Sequence, residues 1–248
     1  HSYHYCTGAK GFSYFNLQDA YQAKNPPEQQ EEKKSIKSAT VTVSNVVYNG
    51  KPQTPAPIVK DGSKTLVKGT DYDVAYSNNT DVGIATVKIT GKGNYTGSIS
   101  KPFRIQFTDM PNDPKNPDFD KAIFWAVDKG ITTGWANGTF RPWRNINRAA
   151  VVTFLWRAND CPAPKSIAKF SDMPANTPAN QDFRKAISWA AEQGITTGYS
   201  DGTFRPWDEC NRAAIATFIW RSEGRPTASK TATFKDMTGN SDFDKAIS

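Results

Sequence analysis

The chain has 248 residues, 37% hydrophobic and 22% charged, with 31 Lys+Arg against 24 Asp+Glu and a formal net charge of +7. This apolar content excludes a wholly disordered chain, and the length points to two modest domains or small modules in series. No run approaches the roughly 18 apolar residues of a membrane helix, and the cations are dispersed along the chain, which argues against both membrane insertion and a nucleic-acid partner.

Residues 1–21 gather the aromatics Tyr3, Tyr5, Phe12, Tyr14, Phe15 and Tyr21 with the two histidines. They read as the remnant of an upstream domain, since the chain opens on His1 without the pattern of a signal peptide. His1, His4 and Cys6 are too few donors for a zinc site, so no metal and no cofactor is expected. With no other histidine, a Ser-His-Asp or Cys-His arrangement around an internal His is excluded. Residues 22–38, with Pro26-Pro27 and the run Glu28 to Lys34, read as a linker.

From Ala39 the hydrophobic period becomes two. Val41 and Val43, then Tyr72, Val74 and Tyr76, then Ala85, Val87 and Ile89, then Ile99, Phe103 and Ile105 alternate with polar residues. Asn49-Gly50, Asp61-Gly62, Lys68-Gly69 and Gly91-Lys92-Gly93 separate them as turns. The spacing predicts a small antiparallel sandwich over 39–106. Val47-Tyr48-Asn49-Gly50-Lys51, Gly69-Thr70-Asp71-Tyr72 and Gly91 to Gly97 resemble bacterial immunoglobulin-like repeats, which implies a spacer.

The remainder repeats itself. Phe107-Thr108-Asp109-Met110-Pro111 returns as Phe170 to Pro174 and, in part, as Phe234 to Met237. Gly138-Thr139-Phe140-Arg141-Pro142-Trp143 returns as Gly202 to Trp207, and Asn147-Arg148-Ala149-Ala150 as Asn211 to Ala214. In the first unit Phe119, Ala122, Ile123, Ala126 and Val127 form a helical stripe ended by Gly130. A loop from Thr132 to Trp143 follows, then a second helix capped by Asn147 whose inner face is Ala150, Val151, Phe154, Leu155 and Ala158. Units this small must pack on one another.

These motifs resemble the S-layer homology module. The resemblance implies all-α helix–loop–helix repeats forming a pseudo-threefold prism: repeat 1 over 107–165, repeat 2 over 166–229 and a truncated third over 230–248. It also implies an extracellular, wall-bound protein whose inter-repeat grooves hold anionic secondary cell-wall polysaccharide, often pyruvylated. The module's Thr-Arg-Ala-Glu is Asn-Arg-Ala-Ala in both copies, so the arginine carries over and the glutamate does not.

The arginines Arg148 and Arg212, in the first turn of a helix, are therefore the expected anion contacts, because a planar fork matches a carboxylate. A salt bridge of Arg148 or Arg212 to Asp109 or Asp172 is the competing role. Gly138 and Gly202 let the backbone approach a sugar, and Arg141 and Arg205 are groove cations or solvated charges. Trp143 and Trp207 offer faces for a pyranose, although aromatics repeated in each unit more often pack. Cys161 and Cys210 either bridge the two repeats or stay free. The functional expectation is non-covalent wall anchoring with no catalysis within the chain. The alternatives are the targeting region of a wall- or glycan-active hydrolase, or part of an adhesin or S-layer protein.

Overall fold

The computed structural model describes residues 32–227, 234–237, 239 and 241–247. Among the described residues nine strands come first: β1 (Lys34–Ser35), β2 (Thr40–Thr42), β3 (Val46–Val47), β4 (Ile58–Asp61), β5 (Lys64–Thr65), β6 (Tyr72–Ser77), β7 (Gly83–Gly91), β8 (Tyr95–Thr96) and β9 (Ser98–Gln106). They form three sheets, ordered β1-β8, β2-β4-β5 and β3-β9-β7-β6. Alternation works as the pleat requires: Ala85, Val87 and Ile89 are buried on β7 while Lys88 and Thr90 are exposed.

Two features of this region differ from the sequence reading. The sheets are not purely antiparallel, because β1 pairs with β8 and β3 with β9 in parallel, with Lys34 opposite Tyr95 and Val46 opposite Ile105. Both β1 and β3 are two-residue edge pieces, too short to carry a periodic signal. The stretch read as linker also ends in ordered structure. Ile36 is fully buried, and the Ser35 hydroxyl accepts the Lys37 N–H to start a short 3-10 turn over Ile36–Ser38.

The chain divides into two compact units. Among the described residues, the first contains 32–40, Val59–Val74 and Lys88–Ile99; the second contains Val41–Ile58, Ala75–Val87 and those from Ser100 onward. The division runs through β2, β4, β6, β7 and β9.

The second unit holds five α-helices among the described residues: α1 (Asp118–Asp128), α2 (Arg148–Ala158), α3 (Gln181–Glu192), α4 (Arg212–Ser222) and α5 (Ser241–Ile247). The expectation of all-α repeats in a pseudo-threefold prism is corrected here. Residues 106–152 open on the last residue of β9, and within them only α1 and the first turn of α2 are helical. The rest is loop and turn, and an antiparallel β-bridge joins Asn147 to Glu209. Gly134, Gly138 and Arg141 at positive φ, with Pro142 beside them, interrupt helical hydrogen bonding across this stretch. Helix packing runs pairwise, α2 against α3 and α4, and α4 against α5.

Gly130 and Gly194 end α1 and α3 in the left-handed conformation, with Ile131 N–H on Ala126 O and Ile195 N–H on Ala190 O closing each turn. The main core gathers Ala149, Val152 and Trp156 of α2 with Ile187 and Ala190 of α3, Ile195, Phe204 and Phe218. The buried face of α2 is thus Arg148, Ala149, Val151, Val152, Thr153 and Trp156, rotated from the face read in the sequence, of which Val151 is buried, Ala150, Phe154 and Leu155 are half-buried and Ala158 is exposed. The second repeat's loop covers this rotated face, and nothing within α2 announces it.

Candidate functional site

The same local device builds the loop in each repeat. The two carboxylate oxygens of Asp109 accept the backbone N–H groups of Phe140 (2.7 Å) and Arg141 (2.8 Å); those of Asp172 accept Phe204 (2.8 Å) and Arg205 (2.7 Å). This clamp holds Arg141 and Arg205 at φ 62° and 56°, where L-residues are uncommon. Each guanidinium then lies over an aromatic ring, Arg141 at 3.9 Å from the Trp135 centroid and Arg205 at 4.0 Å from that of Tyr199. The following helices are capped as expected: Asn147 Oδ1 accepts Ala150 N–H and Asn211 Oδ1 accepts Ala214 N–H, both at 2.8 Å.

The two expected anion contacts occupy different environments. Arg148 is only 8% exposed. Its Nε donates to Phe204 O at 2.9 Å, and its guanidinium lies 4.9–5.2 Å from the ring centroids of Tyr199, Phe204 and Phe218. Its own N–H donates to Asp208 O (3.0 Å), and Ala149 N–H donates to Pro206 O (2.9 Å). Arg148 therefore pegs the first repeat into the loop of the second, through carbonyls and aromatic faces and not through an aspartate. Arg212 is exposed, with no side-chain hydrogen bond or ion pair among the described residues.

The paired glycines diverge as well. A Cβ on Gly138 would lie 2.0 Å from the Tyr48 ring, whereas one on Gly202 would meet nothing within 4 Å. Gly138 admits a tyrosine, whose hydroxyl donates to Ala136 O, while the Gly202 backbone faces open space. Trp143 is 70% exposed and Trp207 also exposed; each packs edge-on against a phenylalanine, Phe119 at 5.5 Å and Phe183 at 5.4 Å. Their outer faces remain available to a ligand.

The repeat 1 loop borders a cleft of about 660 Å³. Trp135, Phe140 and Arg141 line it from the loop, Arg144 and Asn145 from the segment before α2, and Phe154 and Phe183 from the helices. Arg157, also in the wall, is neutralised by Asp182 at 2.8 Å and donates to Ile131 O. Arg144 is exposed with no side-chain partner among the described residues. The structure thus brings Arg141 to this cleft and leaves Arg205 elsewhere, ion-paired to Asp201 at 3.0 Å. Hydrogen bonds from Thr203, and secondarily from Arg205, hold the Asp201 carboxyl at about 2.

Sequence reasoning missed Trp135, Arg144 and the Arg157–Asp182 pair. The pair recurs as Arg221–Asp242 at 2.5 Å, so its signal was an arginine closing the second helix of each unit and an aspartate opening the next. The bridge between Cys161 and Cys210 is not formed; both thiols are free, and burial pushes that of Cys210 up. Cys161 follows the end of α2, while Cys210 donates its N–H to Ile146 O at the opposite end. At 1.5 Å per residue α2 holds them roughly 16 Å apart along its axis, against the Cα separation below about 7 Å that a disulfide needs. His1, His4 and Cys6 lie outside the described residues.

Residues 106–152 and 169–216 match the S-layer homology domain family. Among curated proteins, the chain is 36% identical over 155 residues to Cell surface glycoprotein 1 of Acetivibrio thermocellus, covering 60% of the chain and 6% of that protein. It is 26% identical over 112 residues to the Surface layer protein of Brevibacillus choshinensis, covering 44% and 10%, and 29% identical over 143 residues to an Endoglucanase of Bacillus sp. KSM-635, covering 55% and 14%. The chain therefore spans a small fraction of the length of these relatives. Two regions of this chain thus match the S-layer homology domain, and together with the surface-layer relatives they indicate a cell-surface location.

Proposed function

We propose that this chain anchors a bacterial surface protein non-covalently to the cell wall by binding an anionic secondary wall polysaccharide, with the strand region as spacer. The pair of S-layer homology domains carries the reading. The unpaired guanidiniums supply its chemistry, because a charge-assisted bidentate contact to a carboxylate is strong and directional. Exposed Arg212, exposed Trp207 and the open backbone at Gly202 form one set of groups facing solvent, and the Trp135–Arg141 stack with Arg144 forms another. Arg148 contributes by fixing the two loops relative to each other. Within this chain the role is binding and not catalysis.

Sedimentation with purified walls tests the reading. The protein pellets with intact walls and stays in solution once the secondary polymer has been stripped; equal pelleting in both cases rejects it. The Endoglucanase match favours a second reading, in which the same anchor serves a glycan-active hydrolase. The open reading frame around this segment decides between them, because a hydrolase brings a catalytic domain of its own.

A further inference from the structure

Part of the strand region is built onto repeat 1. Val41–Ile58, Ala75–Val87 and residues 100–106 fall in one compact unit with the repeats, and three contacts join them to the first. Arg104 of β9 is set at its backbone, where Asn45 Oδ1 accepts its N–H at 2.8 Å. Its guanidinium makes a bidentate pair with Asp128 at 2.9 and 2.7 Å and lies 4.5 Å from the Phe124 ring centroid. Phe124 and Asp128 are one turn apart on α1, so a single arginine grips one face of that helix. Val82 packs against the repeat 1 core of Phe107, Met110 and Ile123. Tyr48, placed by its own N–H on Gln106 O (2.9 Å), lays its ring on Gly138 and donates its hydroxyl to Ala136 O at 3.4 Å.

Repeat 2 has the same turn without this cover. Gly138 N–H donates to Trp135 O at 2.9 Å and Gly202 N–H to Tyr199 O at 3.0 Å, yet a Cβ on Gly202 would meet nothing within 4 Å. On α3 the counterparts of Phe124 and Asp128 are Ser188 and Glu192. Ser188 Oγ accepts Ala168 N–H, and Glu192 faces Lys165 at 3.6 Å, a lysine whose side chain is 90% exposed. The receiving residues are therefore particular to repeat 1. A passive spacer needs no such pair, because a bidentate contact beneath a stacked ring fixes one orientation.

The turn that Tyr48 covers also carries Trp135, over which Arg141 lies at 3.9 Å. Trp135 N–H on Thr139 O (2.8 Å) and Thr108 N–H on Gly138 O (2.9 Å) tie the turn from within the repeat. Tyr48 closes it from outside. A group already held in its bound shape loses less freedom when a ligand arrives.

We infer that the strand region is a working part of the anchor: Arg104 and Val82 dock it on repeat 1, and Tyr48 is a positioning residue that holds the Trp135–Gly138 turn in its wall-binding shape. The inference rests on the anchoring reading. It is tested on the whole chain with Tyr48→Ala, Tyr48→Phe and Arg104→Gln. Amide exchange across 132–143 and 196–207, melting temperature and affinity for purified walls are measured, with the uncovered repeat 2 loop as internal reference.

Tyr48→Ala speeds exchange across 132–143 about tenfold, leaves 196–207 as in wild type and weakens wall binding about three- to fivefold, with little change in melting temperature. Tyr48→Phe keeps wild-type exchange and affinity, because the ring carries the restraint and the hydroxyl contact is long. Arg104→Gln moves exchange across 132–143 in the same direction, and no change there overturns the docking. Wild-type exchange across 132–143 in Tyr48→Ala overturns the positioning role, as does faster exchange with undiminished wall binding; both leave anchoring standing. Faster exchange in both loops with a lowered melting temperature assigns Tyr48 to general packing and overturns it too. Wild type that binds no wall overturns the anchoring reading itself, which the exchange measurements do not touch.

Discussion

The two repeats share their loop motif residue for residue from Gly138 to Trp143 and from Gly202 to Trp207, with the same aspartate clamp and ring contacts, yet several of their equivalent residues have different surroundings. Trp125 on α1 is 57% exposed, while its counterpart Trp189 on α3 is 7% exposed, because α3 packs against α2. Gly138 is covered by Tyr48 and Gly202 is open. Arg148 is buried among three rings, and Arg212 points into solvent. A repeated motif therefore specifies a local shape, and the next element along the chain determines whether that shape becomes core, junction or binding surface.

The largest test of this asymmetry is in the core. Phe204 is fully buried and Phe140 only partly. Phe204→Ala costs about 3–5 kcal/mol in denaturant unfolding and Phe140→Ala clearly less; equal losses would mean that the two loops are equally packed. The arginines come next. Arg148→Ala removes a hydrogen bond and three ring contacts, an expected loss of about 2–4 kcal/mol, while Arg212→Ala stays within about 0.5 kcal/mol. Wall binding sharpens the pair, since a loss with Arg148→Ala follows destabilisation and one with Arg212→Ala does not.

The glycines give a smaller, cleaner contrast. Both sit at positive φ, so alanine strains either by about 1–2 kcal/mol. Gly138→Ala costs more because its Cβ must displace the Tyr48 ring, and adding Tyr48→Ala removes the excess. A double-mutant cycle showing no coupling between them would break the assignment. The smallest effect is in pH. Asp201 is held at about 2, below the ordinary carboxylate value near 3.9, so its contribution to stability is present above pH ~4 and fades as pH falls through about 2. Asp201→Asn flattens that limb of an acid melt; a curve identical to wild type would show that the Thr203 and Arg205 contacts hold nothing in solution.

Much of this was legible locally. Asn147 and Asn211 cap their helices, Gly130 ends α1, and the alternation on β7 and β9 places their buried residues, because each of these depends on backbone geometry within a few residues. What the sequence left out needed partners distant in the chain. The inner face of α2 was misjudged because Tyr199 and Phe204, some fifty residues on, pack over Arg148. The pairing of Cys161 with Cys210, which the sequence left open, turns on the length of one helix, which a count of cysteines does not contain.

The amino-acid order by itself determined the repeat, its turns and caps, and the inverted charge between Arg144-Asn145 and Asp208-Glu209. Only the folded chain decided which arginine is a peg and which is free, and which of two like loops keeps an open cleft. The reason is physical: dihedral preference and charge belong to a residue and its neighbours, whereas burial belongs to whatever surface the rest of the chain lays against it.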